Sequence, residues 1–178
     1  MATASDPTEE RPNPLAPRLK IWDWENRETL TQIPVVSEGI DFDPSGRRIA
    51  IAHGGLAGIW DVDTGRKLGT FAGHEGEVWD VAFSPDESVL ATAGSDRTVR
   101  LWDVDTGVQR LVLRGHELIV GRLAFSPDGS KLASGALDGT ARVWALDLDD
   151  LIKIARRELT RELTEAECRQ YLHGACPT

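Results

Sequence analysis

Tryptophan follows a β-branched residue or leucine at Trp22, Trp60, Trp102 and Trp144, at intervals of 38, 42 and 42 residues. A second string keeps nearly the same step: FDPSG at 42–46, FSPDE at 83–87 and FSPDG at 125–129. A third is Gly-His, at Gly73-His74 and Gly115-His116, again 42 residues apart. Three markers in step require one supersecondary unit stacked several times, since a unit of this size cannot bury its apolar face alone.

The local signals inside one unit are all β. EVWDVAF (77–83) sets Val78, Asp80 and Ala82 against Trp79, Val81 and Phe83, the period of a strand. SPDE supplies turn chemistry after it. SVLATAG (88–94), TVRLWDV (98–104) and VQRLVL (108–113) are predicted as the next three strands, separated by SDR and DTG turns. Four short strands in roughly 42 residues describe one blade of a β-propeller.

The recurrence of GH, FSPD and WD in this order resembles the WD40-repeat family over residues 19–146. That resemblance implies an all-β fold of four-stranded antiparallel blades. The units are unequal. Those at 73–104 and 115–145 follow the family pattern, whereas the unit at about 31–62 lacks Gly-His and carries HGGLAG (53–58) where the second has GSDRTV. Residues 19–30 resemble only the last two strands of a preceding blade. Three blades and a fraction do not close a ring, which typically takes 4–8. The expectation is therefore an incomplete ring. It would be completed by blades on a missing N-terminal part or by a second copy in a homodimer.

The flanks change character. Residues 1–18 hold four of the nine prolines and few apolar residues, and are expected to be a disordered leader. In 147–178, Leu148, Leu151, Ile152, Ala155 and Leu159 share one helical face behind an Asp147 cap. LTEAEC then announces a second helix, with Thr164 as cap, Glu167 at its third position and Leu163 stapled to Cys168. Cys168, Tyr171 and Leu172 would form its apolar face. This two-helix tail resembles the C-termini of large bacterial WD-repeat signalling proteins.

Charge narrows the partners. Twenty Lys plus Arg against 29 Asp plus Glu give −9, which disfavours phosphate backbones and anionic membrane surfaces alike. Two cysteines make no disulfide framework, and a reducing cytoplasm is expected. Neither a P-loop nor a dinucleotide glycine fingerprint is present, and no cofactor is expected. Cys168, His173 and Cys176 supply three zinc ligand types where a structural site usually shows four, so no metal is expected. HGG at 53–55 lacks the G-x-S-x-G elbow that a lipase-type oxyanion loop would serve.

Two sets of residues remain. His74, Thr92, Asp96 and Trp102 in one unit match His116, Ser134, Asp138 and Trp144 in the next. A Ser, a His and an Asp together invite a hydrolase reading. The family resemblance implies instead a structural tetrad, in which Asp orients His, His bonds the hydroxyl, and the hydroxyl bonds the indole N–H. The resemblance also implies protein-contact positions around one rim: Glu77, Trp79 and Ser95, then Ile119, Gly121 and Leu137, with Val36 and Glu38 in the first unit. Trp79 has no counterpart, since Glu38 and Gly121 take its place. The function expected is a non-enzymatic protein-interaction scaffold. The alternative is the sensory part of a larger bacterial signalling protein, with a kinase, NTPase or protease module upstream. An autonomous hydrolase is the remote one.

Overall fold

The computed structural model describes residues 19–23 and 25–147. The expected leader at 1–18 and the two tail helices lie outside the described residues. Thirteen strands and no helix make up the described part. Strands β1 (Leu19–Asp23) and β2 (Glu28–Ile33) pair as a two-stranded sheet. β3 (Gly39–Phe42), β4 (Arg48–His53), β5 (Leu56–Asp61) and β6 (Lys67–Ala72) form a four-stranded antiparallel meander. β7 (Val78–Phe83), β8 (Val89–Gly94), β9 (Thr98–Asp103) and β10 (Gln109–Arg114) form a second. β11 (Val120–Phe125), β12 (Lys131–Ala136) and β13 (Ala141–Ala145) form a third sheet, of three strands among the described residues.

The repeated strings are the turns that this meander needs. In WDVDTG, the carboxylate of Asp61 accepts bonds from the Thr64 amide and hydroxyl at 2.8 and 2.5 Å. Gly65 then takes φ of 67°, a left-handed value that favours glycine. Asp103, Thr106 and Gly107 repeat this arrangement in the next unit. In FSPD, Ser84 bonds Asp86, and Ser126 bonds Asp128. Glu87 stands at the left-handed position that Gly46 and Gly129 fill in the other copies. Its carboxylate reaches back to Arg48 at 2.9 Å, tying the second sheet to the first.

The sheets stack face to face through one recurring fit. Ala50, Ala52, Ala57 and Ile59 of the first sheet meet Val78, Val81, Phe83, Leu90 and Trp102 of the second. Ala91, Ala93, Val99 and Leu101 on the second sheet's far face then meet Val120 and Leu132 of the third. At each seam the alanines of one sheet, with Ile59 and Phe71 beside them in the first and Val99 and Leu101 in the second, meet larger residues of the next. On the other side, Ile21 and Ile33 of the β1–β2 pair pack on Ile49, Ile51, Trp60 and Val62. The sheets are blades of an arc, with β3, β7 and β11 side by side along its inner edge.

The simple alternation read from EVWDVAF does not describe the burial of β7. Val78, Val81, Ala82 and Phe83 are all buried. A bulge between Val78 and Asp80 shifts the phase, and the blade is covered on both faces. Carboxylates stitch the inner edge: Phe83 N donates to Asp41 Oδ2 and Leu123 N to Asp80 Oδ2, both at 2.8 Å. Burial raises the pKa of both acids, against the lowering effect of those bonds.

Candidate functional site

The loop leaving β6 and the loop leaving β10 each bring a histidine down onto the next blade. His74 Nε2 lies 2.7 Å from Thr92 Oγ1 on β8, and Trp102 Nε1 on β9 donates to the same oxygen at 2.9 Å. His74 Nδ1 lies 2.9 Å from Asp96 Oδ1. The next unit repeats this: His116 Nε2 to Ser134 Oγ at 2.8 Å, Trp144 Nε1 to Ser134 Oγ at 2.8 Å, His116 Nδ1 to Asp138 Oδ2 at 3.1 Å. A hydroxyl that accepts the indole proton can give its own to the histidine. That leaves Nε2 as acceptor and Nδ1–H as donor to the aspartate.

Sequence reasoning missed further members. Thr98 and Thr140 donate their hydroxyls to Asp96 and Asp138 at 2.7 and 2.6 Å. The amides of Glu75 and Glu117 donate to the same two carboxylates at 3.1 and 2.9 Å. Arg100 adds an ion pair to Asp96 at 3.2 Å. The signal was there, since threonine stands two residues after each aspartate at the same 42-residue step.

The first unit solves the same packing problem without polar groups. Counting from its phenylalanine, Ile33 stands where His74 stands and Ile51 where Thr92 stands. Both are fully buried against Trp60. Replacing both partners of a buried hydrogen bond by apolar groups is nearly neutral, whereas replacing one is costly.

The rim positions gather at one end of the blades. Ser95 N donates to Glu77 O at 2.8 Å, and Leu137 N to Ile119 O at 2.9 Å, so each turn residue sits beside the residue opening the inner strand. Glu38 N donates to Ala52 O at the same end of the first sheet. Glu77, Val36, Glu38 and Leu137 are exposed, Leu137 at 69%. Trp79, Ser95, Ile119 and Gly121 are half-buried. Trp79 and Gly121 both occupy bulges, and the Trp79 indole N–H is buried without a hydrogen-bond partner.

The WD domain, G-beta repeat family matches residues 65–103 and 107–145, the two stretches that contain the tetrads. These two stretches are WD40 repeats. The matched repeats start at Gly65, after the unit in which Ile33 and Ile51 replace the polar tetrad. Related curated proteins include eukaryotic translation initiation factor 3 subunit I of Aspergillus niger, 42% identical over 63 residues, 35% of this chain and 19% of that protein. The same subunit of Scheffersomyces stipitis is 33% identical over 76 residues, 43% of this chain and 20% of its own length. The periodic tryptophan protein 2 homolog of Mus musculus is 49% identical over 43 residues, 24% of this chain and 5% of its own length. The chain spans about a fifth or less of the length of these relatives.

Within the WD40 repeats, the hydrolase geometry is blocked. Ser134 is 2% exposed, and its oxygen already serves Trp144 and His116. No face of that hydroxyl is open to a substrate. Among the described residues no group of three or more His, Cys, Asp or Glu side chains could hold a metal, and Cys168, His173 and Cys176 lie outside them. No helix among the described residues is long and apolar enough to cross a membrane.

The tetrad carries a pH signature. Burial lowers the pKa of His74 more than Asp96 raises it, so the ring is neutral in the fold. Burial pushes Asp96 up, but the Thr98 hydroxyl, His74 and the Glu75 amide outweigh it and hold the carboxyl well below the carboxylate range. A neutral buried histidine binds its proton more readily once unfolded. Its contribution is therefore intact above its ordinary value of 6.5 and is lost as pH falls below that. Asp96 acts in the same sense in a lower window, with stability present above its ordinary 3.8 and lost below it. Stability to urea should thus fall between about pH 7 and 5, and the His74→Gln variant should show a shallower slope there. Equal slopes in the two proteins would contradict the assignment.

Proposed function

We propose that this chain is a protein-interaction scaffold of WD40 type, without catalytic activity of its own, whose partners dock on the rim formed by the openings of β3, β7 and β11. The observation that carries this is a contrast within each repeat. The tetrads and turns recur at a fixed step, whereas the rim does not: Val36 and Glu38, then Glu77, Trp79 and Ser95, then Ile119, Gly121 and Leu137. A fixed frame with variable, accessible tips is how binding surfaces are diversified on a common fold. Trp79 supports the reading further, because a half-buried aromatic ring at the rim offers apolar area to a partner.

The fungal relatives are named as a subunit, which fits a working life inside a larger assembly. The fungal and murine relatives carry no signalling name and do not favour the bacterial alternative. A homodimer that completes the ring is the weaker reading. Among the described residues, joining two copies end to end would leave the inner half of each β1–β2 blade position unfilled, with Ile40 and Phe42 still bare.

The rim is tested by affinity capture with quantitative mass spectrometry on wild-type chain, a rim variant (Trp79→Ala with Leu137→Glu) and an outer-strand variant (Leu68→Ala). The rim variant should lose the wild-type partners by roughly tenfold or more while keeping the wild-type unfolding midpoint, and Leu68→Ala should keep them. Partners retained by the rim variant would refute the docking surface.

A further inference from the structure

We infer that the cavity between the second and third sheets, at the end of the blades opposite the rim, binds an arginine side chain of a partner protein.

The first seam shows what such a place is built to hold. There the Arg48 guanidinium lies 5.6 Å over the ring of Phe83, held by Asp43 at 2.8 Å and Glu87 at 2.9 Å. The repeat carries the same frame to the second seam. Arg48 pairs across its sheet with Asp61, and Val89 pairs with Asp103. Asp43 N donates to Arg48 O, and Ser84 N donates to Val89 O. Val89 therefore takes the place of Arg48 and Ser84 that of Asp43, while Gly129 takes that of Glu87 and Phe125 that of Phe83. The aromatic ring is kept and the arginine over it is gone. A cavity of about 710 Å³ opens at this seam, lined by Val89, Leu111 and Phe125 among others.

The chemistry of the lining fits the side chain that is missing. Asp86 and Asp128 stand in the same lining. The Ser84 hydroxyl holds Asp86 below its ordinary value, and the Ser126 hydroxyl does the same for Asp128, so both are charged at neutral pH. Ser45 stands where Asp86 stands, so this carboxylate is new to the second seam. Arg110, also in the lining, is already paired with Asp103. A planar guanidinium can lie on the Phe125 face while its methylene stem covers Val89 and Leu111. The excess of acids over bases in the whole chain favours the approach of a basic partner. The cavity lies where β7 and β11 end, whereas the rim lies where they begin, so this site goes beyond the docking surface proposed above and stands or falls apart from it.

The probe is N-acetyl-arginine methylamide, titrated into the full chain and followed by backbone amide shifts. Saturable shifts should gather at residues 84–89, 111 and 125–129, with a Kd of about 1 mM, which a fragment of this size can reach. The citrulline analogue has the same shape without the charge and should bind roughly tenfold more weakly or worse. Val89→Arg restores in the chain the side chain that the first seam carries, and should weaken binding by roughly tenfold or more while the protein keeps its unfolding midpoint. Leu111→Lys, at a 46% exposed position, should weaken it by about fivefold through like charge at the cavity. The rim variant (Trp79→Ala with Leu137→Glu) should bind the probe as wild type does. Shifts that do not saturate, equal binding of the citrulline analogue, or binding that survives Val89→Arg would each overturn the inference. So would shifts at these amides that track the concentration of the chain itself, which assigns the cavity to a second copy.

Discussion

Thr92→Val is expected to cost roughly 2–5 kcal/mol of unfolding free energy, the sum of two buried polar groups left without a partner. Thr92 is fully buried, and its hydroxyl is the one point where His74 and the Trp102 indole both find a hydrogen bond. Valine keeps the shape and removes the oxygen, so the loss reports hydrogen bonding rather than a cavity. The first unit supplies the control. Ile33 and Ile51 fill the equivalent positions there, so the double variant His74→Ile with Thr92→Ile should recover about half of the loss, leaving only the indole orphaned. Equilibrium unfolding in urea at neutral pH measures all three proteins. A single variant as stable as wild type would show that the tetrad does not hold the blade together.

Leu90→Ala is expected to cost about 2–5 kcal/mol, with the exact figure set by how far the seam can collapse. Leu90 is fully buried in the cluster that joins the first and second sheets, against Ala50, Ala52, Phe83 and Trp102. The loss should appear in both sheets at once, because the apolar cluster belongs to neither alone. Tryptophan fluorescence and far-UV circular dichroism should therefore keep a common, lowered midpoint. Leu68→Ala, on a half-exposed outer strand, should stay within about 0.5 kcal/mol of wild type. Two separate transitions in the Leu90→Ala protein would mean that the blades fold as independent units.

The strands were legible because the repeat supplies its own alignment. The predicted runs at 77–83, 88–94, 98–104 and 108–113 fall on β7 to β10 with ends displaced by no more than one residue. The turns were legible for a chemical reason, since Asp, Thr and Gly at fixed offsets can build only one local geometry here. The bulges at Trp79 and Gly121 were not legible. An extra residue in one strand shows only against its partner, and nothing local in VWD or VGR marks it. The hydrophobic substitute for the first tetrad was hidden for a similar reason. Ile33 and Ile51 read as ordinary strand residues until the fold sets them against Trp60.

Two further features separate the levels of information. The amino-acid sequence by itself determined the unit, its strand count and its turns, because all of these depend on spacing within about 42 residues, whereas the groups of each tetrad were implied by the resemblance to the WD40 family. Only the tertiary structure decided which faces are covered. Leu101 and Val143 hold the same place in the same repeated string, yet one is buried and the other bare. Side-chain type sets what a face can accept, but burial depends on whether a neighbouring sheet is there to displace water, and that is a property of the stack rather than of any one repeat.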